Sequence, residues 1–262
     1  MSYCLIMIVA LPAVWANPQQ EHRSPPQIES PANVGAQIIH TGQDKDVAAS
    51  LKPYLQQGQQ KVERFFNQPF KKAFEIELFP DRAAFDEYFR KRWKVPKTEG
   101  WMVAAGVADR MMILSPRVWK TQAVEHDPAD AGHVRDLLAH ELVHVYHGQY
   151  NPRPDFDGMD DSGWFVEGLA VYASGQLARS HRTAARDALN SGKAPTRLAD
   201  AWSGKYRYGV SGSMVEFIDK RYGRDVVKKL LAVVNNEEAL KLLKITEPQF
   251  LEAWKRYVSA QP

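Results

Sequence analysis

Cysteine is almost absent from the 262-residue chain; the only one is Cys4, near the N-terminus. A dominant charge is lacking too, with 34 Lys+Arg against 31 Asp+Glu and a net charge of +3. So small and dispersed an excess leaves no electrostatic footprint, and no nucleic-acid partner is expected. Runs such as Arg90-Lys91-Arg92 read as solvated helix faces. Long apolar runs are missing as well. The uncharged stretch at 3–14 falls short of the roughly 20 residues that a membrane-spanning helix needs. What remains, 44% hydrophobic and 25% charged residues, is ordinary globular usage and excludes wholesale disorder. At roughly 150 residues per domain, the length allows one large domain or two small ones.

The apolar stretch ends Val14-Trp15-Ala16, which suits a secretory signal peptide at 1–16. The expected location is therefore secreted or periplasmic, with no stable membrane insertion after cleavage. No Lys or Arg precedes Tyr3, so an uncleaved membrane anchor is the alternative. Cleavage would remove Cys4, leaving no disulfide, no thiol nucleophile and no cysteine-ligated zinc. Residues 17–37 carry Pro18, Pro25, Pro26 and Pro31 among polar neighbours and read as a flexible tether.

In the remaining 38–262, Leu51, Leu55, Val62 and Phe66 recur at helical spacing across about Lys45–Phe66. Phe74, Ile76 and Leu78 alternate with Glu75 and Glu77, predicting a half-buried strand stopped by Pro80. Phe85, Phe89 and Trp93 mark a second helix, and two apolar runs around Ala108-Asp109-Arg110 predict a hairpin over 101–114. A long helix is expected through about 129–148, and every strong segment after Gly163 is helical. One helix should stop near Gly223, the next should carry Val226 to Val234, and Thr246 with Gln249 forms a capping box. The order gives an α+β fold: a mixed lobe over 38–148, then a helical lobe over 149–262.

The chemistry sits in His140-Glu141-Leu142-Val143-His144, an H-E-x-x-H sequence inside the long helix. Residues four apart on a helix leave the same face about 6 Å apart along the axis. Both imidazoles can then bind one zinc ion through nitrogens about 2.0–2.1 Å away. Glu141, beside them, can take a proton from water at the open position.

A catalytic zinc needs a third protein ligand. The longer motif with a further His ten residues after the first fails, because that position is Tyr150. His147 rises about 10.5 Å along the helix from His140 and cannot close the site. Glu167 in Val166-Glu167-Gly168-Leu169-Ala170 is the better candidate, a carboxylate among apolar neighbours on a second helix.

His140-Glu141-Leu142-Val143-His144 together with Glu167-Gly168-Leu169-Ala170 resembles the gluzincin metallopeptidases, in particular the peptidase MA-like domain family. The similarity runs from the strand near Phe74, through Ala105-Gly106-Val107, to the C-terminal helices. It implies a thermolysin-like zincin fold: a small lobe with a sheet, a central active-site helix and a helical lobe supplying the glutamate. It also implies a zinc-dependent hydrolase acting on a peptide or protein substrate. The family usually carries a tyrosine on the far cleft wall, three positions ahead of a small residue, and Tyr208-Gly209-Val210-Ser211 fits. Tyr208 would donate to the oxyanion, with Tyr206 as the runner-up and simple aromatic packing as the alternative for both. Asp160, Asp161 and Arg207 are polar candidates for the cleft wall, with solvated loop roles equally open.

Aminopeptidases of the wider group bind the substrate amine through an acidic Gly-x-Met-Glu-Asn segment. The corresponding stretch, 101–108, has no carboxylate. Its small residues Ala104, Ala105 and Gly106 suit an edge strand that aligns an extended peptide. An endopeptidase is therefore expected, the rival being a catalytically silent zinc-bearing domain that captures peptides.

Overall fold

The computed structural model describes residues 27–29 and 36–261. The expected signal peptide at 1–16 and most of the tether at 17–37 lie outside the described residues. Five strands appear among the described residues: β1 (Gln27–Glu29), β2 (Ala36–His40), β3 (Phe74–Phe79), β4 (Ala104–Val107) and β5 (Arg110–Leu114). They form one sheet in the order β1-β2-β3-β5-β4. β2, β3 and β5 run parallel, while β1 and β4 pair antiparallel with their neighbours. β1 and the start of β2 fall inside the stretch expected to be a tether, so the sheet reaches back into the Pro-rich segment.

The alternation in β3 decides which way the sheet faces. Phe74, Ile76 and Leu78 are buried, whereas Glu75 and Glu77 both pair with Arg110 on β5, Glu77 at 2.6 Å. Opposite charges on adjacent strands keep that face polar. The expected hairpin is β4–β5, turning at Ala108-Asp109 with Val107 opposite Arg110. This leaves β4 as an edge strand.

Eleven α-helices follow in the described residues. α1 (Lys45–Phe66) and α2 (Arg82–Trp93) match the expected spans, and α3 (Trp119–Gln122) is a single turn. α4 (Ala131–Tyr150) starts at Asp130, whose side chain accepts from the His133 amide, satisfying an otherwise orphan donor. The remainder is α5 (Gly163–Ser174), α6 (Gln176–Ser180), α7 (Ala184–Asn190), α8 (Arg207–Tyr222), α9 (Arg224–Leu230), α10 (Asn236–Leu243) and α11 (Glu247–Ser259). The capping box at Thr246 and Gln249 forms as expected.

One helix is shorter than its apolar stripe. α9 ends at Leu230 rather than running on to Val234. The carbonyls of Leu231 and Val233 are instead taken by the Asn151 side-chain amide at 2.8 and 3.0 Å. Asn151 caps the end of α4, so a tertiary contact stops α9 where local periodicity would extend it.

One hydrophobic core is continuous from Ile38 to Val258. α4 packs on α1, on β4 and on α5, and is buried nearly all round. Its central position comes from that apolar girth, with Phe66 of α1 stacked on Tyr146 at 4.3 Å. In the helical half, Trp164 and Phe217 each pack against fully buried Phe250 with ring centroids 5.6 Å apart. A buried Phe of this kind contributes on the order of 1.5–3 kcal/mol. No helix among the described residues is long and apolar enough to cross a membrane.

Candidate active site

α4 and α5 pack directly on each other, and that contact brings the three candidate ligands together. His140 Nε2 and His144 Nε2 lie 3.1 Å apart. Glu167 Oε2 sits 3.3 Å from the first and 3.6 Å from the second. A tetrahedron with bonds of about 2.0–2.1 Å has edges of about 3.3–3.4 Å, so three donors so spaced fit one zinc ion. They form the one such cluster of His, Cys, Asp and Glu found among the described residues.

Backbone proximity fixes the carboxylate. Gly168 follows Glu167, and a Cβ there would lie 2.4 Å from the Ser211 carbonyl oxygen of α8. Only a residue without a side chain lets α5 approach α8 this closely. Gly106 performs the same service across the cleft, since a Cβ there would lie 2.3 Å from the Glu141 carbonyl oxygen. β4 is thereby pressed against α4 beside the His pair.

His140 has a partner that sequence reasoning missed. Its Nδ1 lies 2.8 Å from Gln176 Oε1 on α6. An amide oxygen only accepts, so the ring proton sits on Nδ1 and Nε2 keeps its lone pair for the metal point. α6 is tied back to α4 by Arg179, whose Nε lies 3.0 Å from buried Asp136. Nothing in the sequence marks Gln176, a lone polar residue beyond the left-handed Gly175 that ends α5.

Glu141 is only 7% exposed. Burial raises its carboxyl to about 7, reinforced by Glu167 and opposed by His140 and the Gly106 amide. Burial would also raise Glu167, but the imidazoles of His144 and His140 outweigh it and hold that carboxyl well below the usual range.

A cleft of about 830 Å³ opens over this cluster. Trp93, Trp101 and Met102 line one wall, and His181, Trp202 and Tyr208 the other. Ala104, Ala105 and Gly106 of the edge strand also face it. The Tyr208 ring stacks on His181 at 5.2 Å and meets Trp202 edge-on at 4.8 Å. Burial, together with Glu167 and Glu141, raises its hydroxyl, so Tyr208 stays a proton donor. Tyr206 lies apart, lining a separate cavity with Lys205. Arg207 lines the main cleft, whereas Asp160 and Asp161 are exposed outside its lining.

His147 is fully buried against Phe156 and Phe165. Burial lowers its pKa to about 3, so it is a neutral core histidine that takes no part in the cluster.

No protein-family model and no curated protein matches the chain. Solved structures do. An M1 zinc metallopeptidase from Deinococcus radiodurans shares 15% identity at a TM-score of 0.43, over 88% of this chain and 50% of that one. A glutamate-to-alanine mutant of the M1 zinc metallopeptidase from that organism gives 14% and 0.45, over 91% and 53%. A two-domain M1 zinc metallopeptidase mutant bound to L-arginine gives 15% and 0.46, over 88% and 51%. The chain thus spans about half the length of the structures it resembles.

Proposed function

We propose that the protein is a zinc-dependent peptidase of the gluzincin type, cutting within peptide or protein chains. The observation that carries this reading is the triangle of His140, His144 and Glu167, with its edges of 3.1, 3.3 and 3.6 Å, beside a buried Glu141. His140, His144 and Glu167 are the residues that would hold the ion. A zinc ion held there supplies Lewis-acid polarisation of a carbonyl and lowers the pKa of water towards about 7.

The chain's own groups do the rest. Glu141 takes the proton of the attacking water and returns one to the leaving amine. Tyr208, protonated and lining the same cleft as Glu167, donates a hydrogen bond to the oxyanion. The β4 edge aligns an extended peptide through its backbone. The lack of any carboxylate across 101–108 supports internal cleavage over amine-directed exopeptidase action. The apolar segment ending at Ala16 supports export from the cytoplasm.

The test compares the wild type with Glu141→Gln for metal content and peptide cleavage. The expected result is about one zinc per chain in both, with cleavage in the wild type alone. Zinc in both with no cleavage across a broad peptide library would favour the silent binding domain. A wild type that takes up no zinc on reconstitution would remove both readings.

A further inference from the structure

We infer that Arg207 is a carboxylate-recognition residue of the cleft, taking the side chain of an Asp or Glu, or the free C-terminus, of a bound peptide. The inference rests on the peptidase reading for what happens next to that peptide, but the recognition itself needs no turnover.

Three aromatic rings enclose the Arg207 guanidinium. Its central carbon lies 5.1 Å from the ring centroid of Tyr208, 5.4 Å from Trp202 and 5.8 Å from Trp101. Trp101 precedes β4, so the charge is gripped from both walls of the cleft, and all four residues line the cavity. Flat aromatic faces hold the guanidinium plane by cation–π contact and exclude water from it. The Tyr208 hydroxyl takes a hydrogen bond from the guanidinium, but the ring faces themselves cannot satisfy the remaining N–H donors, which lie in its plane.

Several arginines elsewhere in this fold have anionic partners. Arg110 meets Glu77, Arg117 meets Asp44, and Arg224 meets Asp219, at 2.6 to 3.2 Å. Among the described residues no carboxylate pairs with Arg207, and its buried Nε has no hydrogen-bond partner. A half-buried guanidinium with an unpartnered Nε and no counter-charge is a cost to the free protein, which an incoming carboxylate offsets by two parallel hydrogen bonds.

Its neighbour says where that carboxylate belongs. The Tyr208 ring lies 5.1 Å from the guanidinium, and both line the cleft that His140, His144 and Glu167 also line. The guanidinium therefore opens into the same cavity as the three candidate ligands. A carboxylate held at Arg207 belongs to a residue close to the bond placed over the zinc. The cleft thus selects peptides carrying a negative charge near the point of attack, amid walls that otherwise accept apolar side chains.

Binding is measured on zinc-loaded Glu141→Gln, with and without Arg207→Met, using three pools of randomised heptapeptides. One pool is amidated and free of Asp and Glu, the second differs only in its free C-terminus, and the third is amidated with a single Glu. The second or third pool should lose at least tenfold in affinity on Arg207→Met while the neutral pool shifts less than twofold, and the pool that loses identifies the carboxylate. Arg207→Lys should restore part of the loss, because it keeps the charge without the fork. A purely packing role would weaken all three pools alike, and that result, or no loss in any pool, overturns the inference. If Arg207→Met fails to fold, Arg207→Lys decides: a selective loss for one acidic pool supports it and an even change refutes it. Wild-type cleavage of the same pools reports on the peptidase reading separately, since selective binding without cleavage would remove that reading and leave the carboxylate site.

Discussion

Gln176 and His140 form a pair in which the amide oxygen, 2.8 Å from Nδ1, fixes the tautomer of a ring that faces Glu167 through Nε2. Replacing Gln176 by Ala frees the ring to turn and to carry its proton on either nitrogen. Zinc affinity, measured by competition against a chelator, should fall about 10–100-fold, while Gln176→Glu, which keeps the acceptor, should lose far less. Asp136→Ala, which releases Arg179 and with it α6, should weaken affinity in the same direction.

Glu167→Ala removes one vertex of the triangle. Bound zinc should drop from about one equivalent to a trace by elemental analysis, with the circular dichroism of the fold retained. Chelation should lower the melting temperature of the wild type, because an ion that binds the native state alone stabilises it. The same treatment should leave Glu167→Ala unchanged.

Tyr208→Phe keeps the ring stacked on His181 and deletes only the hydroxyl. Its kcat should fall about 10²–10³-fold with little change in KM, the usual loss for one oxyanion donor. Tyr206→Phe, in a different cavity, should leave steady-state kinetics untouched. Equal effects from the two would rule out the role given to Tyr208.

Gly168→Ala forces a Cβ to within 2.4 Å of the Ser211 carbonyl oxygen. The Ser211 carbonyl carbon, at 2.6 Å, is backbone as well, so α5 and α8 must separate. Overpacking of this kind costs about 1–3 kcal/mol, visible in calorimetry as a melting temperature lowered by about 2–4 °C per kcal/mol. Because Glu167 moves with α5, zinc affinity should fall together with stability.

Asn151→Ala leaves the Leu231 and Val233 carbonyls without their amide donor. Each unsatisfied buried group costs about 1–3 kcal/mol, so urea denaturation should show a clear loss of stability. The zinc triangle lies elsewhere on α4, and metal content should be unaffected.

Much of the local structure was written in short-range pattern. Alternation around Glu75 and Glu77 predicted β3, the Thr246 and Gln249 pair predicted the start of α11, and four-residue spacing put His140 and His144 on one face. These features depend on neighbours within a turn or a pleat, which is the range over which sequence dictates backbone directly.

Tertiary structure decided what depends on distant segments meeting. The strand at Ala36–His40 is held by pairing with β3 in spite of its Pro-rich approach, and α9 stops because a side chain from the end of α4 takes its carbonyls. Gln176 gains its role only when α6 folds against α4, and Arg207 its aromatic cage only when Trp101 arrives from the other wall. Even Glu167, legible as a candidate among apolar neighbours, reaches the histidines only because α5 packs on α4. Sequence supplied the donors and the faces they occupy; the angle and distance between those faces came from packing, which involves the whole chain at once.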